Sequence, residues 1–411
     1  MNPSIRKWLQ ISFFNLLLVA LLGIVLRYKI AFSLPFINQG YFLHGHSHFA
    51  FAGWLTQTLM VLLLAYLWNQ GIENVFKKYR FLLYANLVTA YGMLVTFPIQ
   101  GYGPLSIGFS ALSIIVSYLF AIHYWKDLNK LPAEVSHYWF KTAVAFNALS
   151  SLGVFGLAFI MATKNNHPAI YLSSIYFYLH FQYNGWFFFA CMGLLCTQLI
   201  RYGVDNNKLK RVYWLFALAC VPAYMLSTLW LQLPTGVYML AVIAVLMQIG
   251  GWLQLLQIVK PIHGTIKSSI PVIAYRVIIL SGVALTIKLC LQAGSVIPSL
   301  SKLAFGFRPI VIGYLHLVLL GILTLFMIGY VLAANYISVN RVTAAGLTLF
   351  VAGILFNEAL LMTQGVADLS YRGVPFIDSF LLLAALILFA GILIINYGIR
   401  KRDLPGTLMI D

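Results

Sequence analysis

His44-Gly45-His46-Ser47-His48-Phe49-Ala50-Phe51-Ala52-Gly53-Trp54 opens an apolar run that reaches Asn69. A run of that length matches the roughly 20 residues a helix needs to cross a bilayer. An imidazole inside such a run is costly, and is read first as a functional group. His44 and His48 are four residues apart, so on a helix they share one face, while His46 points roughly the other way.

The rest of the chain has the same character. It holds 411 residues, 62% of them hydrophobic and 9% charged, with a mean hydropathy of +0.90. Soluble domains carry about 25% charged residues. A surface this apolar cannot face water, so the bilayer is its solvent. Twelve runs are long enough to span, roughly 8–32, 44–69, 80–98, 104–125, 138–162, 170–200, 211–230, 235–258, 272–293, 307–334, 343–363 and 375–398. Backbone polar groups in lipid must be satisfied internally, so each run is expected to be a helix. The first lacks a small-residue cleavage site and reads as a retained helix rather than a signal peptide.

The net charge of +17 is sorted between loops. With the N-terminus inside, nineteen Lys and Arg fall in inside loops, six in outside loops, and Lys288 alone lies mid-span. The positive-inside rule accounts for that asymmetry without a nucleic-acid partner. The expected setting is a bacterial inner membrane with both termini cytoplasmic. Cys191, Cys196, Cys220 and Cys290 all lie in spans, form no CxxC pair, and read as small buried hydrophobes.

The opening motif recurs. His180-Phe181-Gln182-Tyr183-Asn184-Gly185-Trp186 and His316-Leu317-Val318-Leu319-Leu320-Gly321-Ile322 share its pattern of histidine, large apolar residue and glycine. Phe14-Asn15 likewise recurs as Phe146-Asn147. The histidines fall on spans 2, 6 and 10, so the repeat is a unit of four helices. A single transmembrane domain over 1–411 is expected, in three repeats of approximately 1–127, 128–262 and 263–402. Each histidine lies roughly 8–10 residues from the outer end of its span, or about 12–15 Å deep.

Three imidazoles at equivalent positions suggest metal or haem-iron ligation. Packing by a hydrogen bond to a neighbouring helix is the bland alternative. The repeat register favours His48 as the ligand, with His44 as alternative or supporting partner. The glycine five residues after each histidine suits either close helix packing or a flat macrocycle. Arg308, two turns before His316, is placed to bind the propionates of a haem held there, and Arg27, Lys29 and Arg372 could share that role. Glu358 and Lys288 are either paired structurally or part of a proton path.

Twelve spans in three four-helix arcs, with histidines on spans 2, 6 and 10, resemble subunit I of the haem–copper oxidases and nitric oxide reductases. Tyr314-Leu315-His316-Leu317-Val318 is similar to that family's HFHYV with its first His replaced by Tyr. The resemblance implies a low-spin, b-type haem between His316 and His48 or His44. His180-Phe181-Gln182-Tyr183-Asn184-Gly185 resembles the reductase segment HLWVEG, which puts His180 at a ligand position for copper or non-haem iron. Span 7 lacks the family's adjacent histidines, so a standard oxygen-reducing centre cannot be assembled. Expected functions are electron transfer, or chemistry or sensing of nitric oxide or oxygen, with a quinol or cytochrome donor and partner subunits. A proton-coupled secondary transporter and a cofactor-free scaffold of the same fold are the alternatives, although transporters of this size are usually built from two halves of six spans.

Overall fold

The computed structural model describes residues 3–164, 167–301, 307–369 and 371–400, all of them helix or connecting turn. Three of the sorted charges, Lys302, Lys401 and Arg402, lie outside the described residues.

The long helices are α1 (Pro3–Ala31), α2 (Gln39–Asn69), α3 (Arg80–Gln100), α4 (Pro104–Leu128), α5 (Val135–Ala162) and α6 (Pro168–Arg201). They continue with α7 (Asn206–Cys220), α8 (Thr235–Ser269), α9 (Val272–Ser295), α10 (Arg308–Ala333), α11 (Arg341–Leu369) and α12 (Ile377–Arg400). Among the described residues eleven are long and apolar enough to cross a membrane. A twelfth crossing is obtained when α7 is joined to the 3₁₀ turn Pro222–Thr228, bent 45° from it. The chain is a multi-pass membrane protein, and large apolar side chains such as Phe81 and Val88 stand on its exterior.

The bend in α7 has a local cause. Pro222 has no N–H to give to an i−4 carbonyl. The Tyr224 amide, which an α-helix would give to the Cys220 carbonyl, bonds to Val221 instead at 3.1 Å. The Cys220 carbonyl is thereby released for another donor.

Close packing divides the chain into two compact units, the first made of residues 1–116, 270–278 and 324–411, the second of 117–269 and 279–323. In the first, α12 packs on α11 and α1. Backbone meets backbone between α11 and α12. A Cβ on Gly391 would lie 2.6 Å from the Phe350 nitrogen, and one on Gly346 would lie 2.8 Å from the Ile395 nitrogen. Small residues at these crossings let helices associate where lipid supplies little hydrophobic drive. The first and last helices are tied together by Asn396 Nδ2 donating to the Phe13 carbonyl at 3.0 Å and Arg6 donating to the Ile399 carbonyl at 3.2 Å.

In the second unit α5 lies against α6, where Gly153 faces the Ser174 carbonyl, and α7 lies against α8, where Gly251 faces Phe216. Trp252 Nε1 on α8 donates to Thr286 Oγ1 on α9 at 2.9 Å.

Candidate functional site

The three motif histidines stand at the same kind of place in their helices. His48 is followed by a π-helical segment over Ala50–Thr56, His180 by one over Phe181–Phe187, and His316 by one over Leu317–Thr324. π turns are rare and occur mostly as single insertions at functional sites. Widening a helix shifts carbonyls off their usual partners, and at two of these segments a side chain from another helix donates to a carbonyl. Asn15 Nδ2 on α1 donates to the Gly53 carbonyl at 2.7 Å, and Ser281 Oγ on α9 donates to the Ile322 carbonyl at 2.8 Å. At the segment after His180 the direction is reversed: Gln182, inside the π segment, donates to Asn147 Oδ1 at 2.9 Å and Ser150 Oγ at 2.7 Å on α5. Asn15 and Asn147 thus each bond to the π segment that follows a motif histidine, Asn15 as donor to a carbonyl and Asn147 as acceptor from a side chain.

The first junction sorts its histidines as their spacing requires. His44 and His48 both lie against Phe97 and Tyr102. The His48 ring is stacked on Phe97, centroids 4.4 Å apart and planes at 19°, with Nε2 3.5 Å from the Tyr102 hydroxyl. His46 is on the other side, its Cε1 3.7 Å from where a Cβ on Gly23 of α1 would stand. Gly45 is needed between them, because a Cβ there would lie 2.9 Å from the Pro98 ring.

The second junction departs from expectation. His180 Nε2 donates to the released Cys220 carbonyl at 2.8 Å, and Nδ1 accepts from Asn184 Nδ2 at 3.2 Å. Both ring nitrogens are engaged and the imidazole is held in its neutral form. A metal at His180 would have to displace one of these bonds, so the present donor set does not fit a second metal. The interhelical packing role weighed from sequence describes this geometry. α6 also begins earlier than the sequence suggested, at Pro168, placing His180 twelve residues into its helix, or about 18 Å.

The third junction is built differently. His316 Nδ1 donates to the Ile312 carbonyl, four residues back, at 2.8 Å. That bond selects the tautomer whose lone pair is on Nε2, as in histidines that ligate metals while anchoring their other nitrogen to the protein. Arg308 is the exposed first residue of α10, two turns before His316.

Two of the motif glycines have packing causes. A Cβ on Gly53 would lie 2.7 Å from the Phe49 ring, and one on Gly185 would lie 2.7 Å from Phe146 Cβ. At Gly321 the nearest contact would be looser, 3.3 Å to Ala284 Cβ.

Lys288 is a buried side chain of the second unit, and Glu358, in the first, accepts from Asn357 Nδ2 at 3.1 Å. Among the described residues no three His, Cys, Asp or Glu side chains converge as a metal site. Phe97, Tyr102 and the carbonyls of Cys220 and Ile312 were not singled out from sequence. Pro222 inside an apolar run was the available signal for the Cys220 carbonyl. Compared with protein-family models the chain matches none, and no curated protein is detectably similar to it.

Proposed function

We propose that this chain is a haem-binding membrane protein of the haem–copper oxidase subunit I type, working in electron transfer or with a diatomic gas. The observation that carries the reading is the His316 tautomer. An anchored Nδ1–H with the lone pair on Nε2 is the state an axial ligand to haem iron must have. In the first unit the resemblance assigns the haem-ligand role to His48, with His44 one turn away as the alternative. Arg308 at the exposed start of α10 offers a fork of donors for propionates. A b-type haem held by two imidazoles would supply reversible one-electron chemistry. The chain's own part is to anchor the ligand ring through Ile312 and to neutralise the propionates.

No step is assigned to a second metal, because His180 spends both nitrogens inside the fold. The reading extends to a bacterial inner-membrane location with cytoplasmic termini, a quinol or cytochrome donor and partner subunits. Its test is the reduced-minus-oxidised spectrum of protein purified after expression with ample haem. Sharp α and β bands lost in His316→Ala support it, and a colourless wild-type protein overturns it.

A second reading, a proton-coupled secondary transporter, is favoured by one observation. α7 is broken by 45° beside a buried lysine, and discontinuous spans with exposed carbonyls are typical of transporter sites. Proton-driven uptake into liposomes by haem-free protein would select it.

A further inference from the structure

The break in α7 leaves polar groups that the haem reading does not use. On α9, Lys288 is 6% exposed, and Gln292, one turn later on the same face, is also 6% exposed. On α8, Gln248 is 4% exposed. The Trp252–Thr286 bond and a bond from the Tyr238 hydroxyl to the Val296 carbonyl set α8 and α9 antiparallel, with Gln248 level with Lys288. The contacts of Gly251 with Phe216, and the cluster of Ala219, Ala223, Ala241 and Ala244, bring Cys220 to the same level. Lys288 on α9 therefore lies level with Cys220 on α7, whose carbonyl the His180 ring bonds.

Among the described residues no carboxylate is paired with Lys288. His180 is neutral, because its Nδ1 accepts from Asn184. A charge in the bilayer interior is costly unless it is paired. Two more groups lack partners, one at this level and one a turn away: Gln248 Oε1 and Gln292 Oε1 are buried and bond to nothing among the described residues. Buried polar groups are rarely left so, and each exception calls for a ligand or another physical cause. An amide's oxygen and nitrogen are told apart only by their bonds, so either amide can present its NH₂ group. One ammonium and two amides then make a donor set for a ligand that only accepts and carries negative charge. Helices packed about 8–10 Å apart enclose no space for an organic acid of any length, so the size of ligand that suits these donors is a small ion.

We propose that Lys288, Gln248 and Gln292 form an intramembrane binding site for a small monovalent inorganic anion of halide or azide size. The site is independent of the haem reading, since it uses none of the residues assigned to haem.

Azide is the probe, followed by its infrared stretch as it is titrated into the purified full-length protein. The expected result is a saturable shifted band that chloride displaces. Lys288→Met abolishes it, Gln248→Leu weakens binding about tenfold, the effect of one lost charge-assisted bond, and His316→Ala leaves it unchanged. Absence of a saturable band overturns the proposal, as does a band of wild-type strength in Lys288→Met. A band lost in His316→Ala and accompanied by a shift in haem absorption also overturns it, because the azide is then on iron. If Lys288→Met does not give folded protein, Gln248→Leu and Gln292→Leu carry the test, and wild-type affinity in both overturns the proposal.

Discussion

Replacing Asn15 with Leu tests whether the π junctions depend on the helix that precedes them. Asn15 is fully buried, donates to the Gly53 carbonyl at 2.7 Å and accepts from the Tyr91 hydroxyl at 2.7 Å. Leu has the same number and branching of side-chain heavy atoms and is somewhat bulkier, so no cavity is opened. The cost is that of the lost bonds. An unpartnered buried carbonyl costs about 1–3 kcal/mol. Interhelical side-chain bonds in membrane proteins average about 0.6 kcal/mol and reach about 1.7. Tyr91 is only partly buried and can turn to another acceptor, so the Gly53 carbonyl dominates. The expected loss is about 2 kcal/mol, near the upper end of the membrane range, because the carbonyl belongs to a widened turn. Reversible unfolding in lipid bicelles measures it, with amide exchange over 53–56 as a local readout. Thr348→Val is the control, since Thr348 is exposed and bonds within its own helix to Ala344; it should change stability by less than about 0.5 kcal/mol. If Asn15→Leu costs no more than the control, or amide exchange over 53–56 is unchanged, the π segment is stable by itself and the reasoning fails.

Other consequences are measurable in the same way. Gly391→Ala drives a methyl to 2.6 Å from the Phe350 backbone, and an overpacking loss of about 1–3 kcal/mol should appear in bicelle unfolding. Asp205 caps α7 by accepting from the Asn207 amide at 3.0 Å, so Asp205→Ala should cost about 1 kcal/mol, and a change within error of zero would show that the cap is idle. His180→Gln keeps a donor for the Cys220 carbonyl and should retain more stability than His180→Leu, which strands it; equal losses would mean that the bond contributes nothing. Single cysteines in place of Lys77 and Lys126 should be labelled from the cytoplasmic side of inverted vesicles, and periplasmic labelling would reverse the orientation drawn from the loop charges.

Hydropathy alone determined that this chain is a helical membrane protein and located its crossings, because a bilayer demands about 20 apolar residues whatever the neighbours are. The four-residue spacing of His44 and His48 was also sufficient to put them on one face, since that follows from helix geometry. What pattern could not supply was the use made of each histidine. His180 and His316 carry the same sequence motif and each is followed by a π-helical segment, yet His180 bonds the distant Cys220 carbonyl and Asn184 whereas His316 Nδ1 donates to its own helix at Ile312. The difference comes from Cys220, forty residues away, whose carbonyl is released only because α7 breaks at Pro222 and folds its end beside α6. Likewise the glycines of the motif read equally well as close helix packing or as seats for a flat macrocycle, and only the structure shows Phe49 against Gly53 and Phe146 against Gly185. The level shared by Lys288 and Gln248 exists only through the antiparallel docking of α8 on α9. Periodicity along one chain fixes a residue's place on its own helix; the partners it meets there depend on how helices distant in sequence pack together.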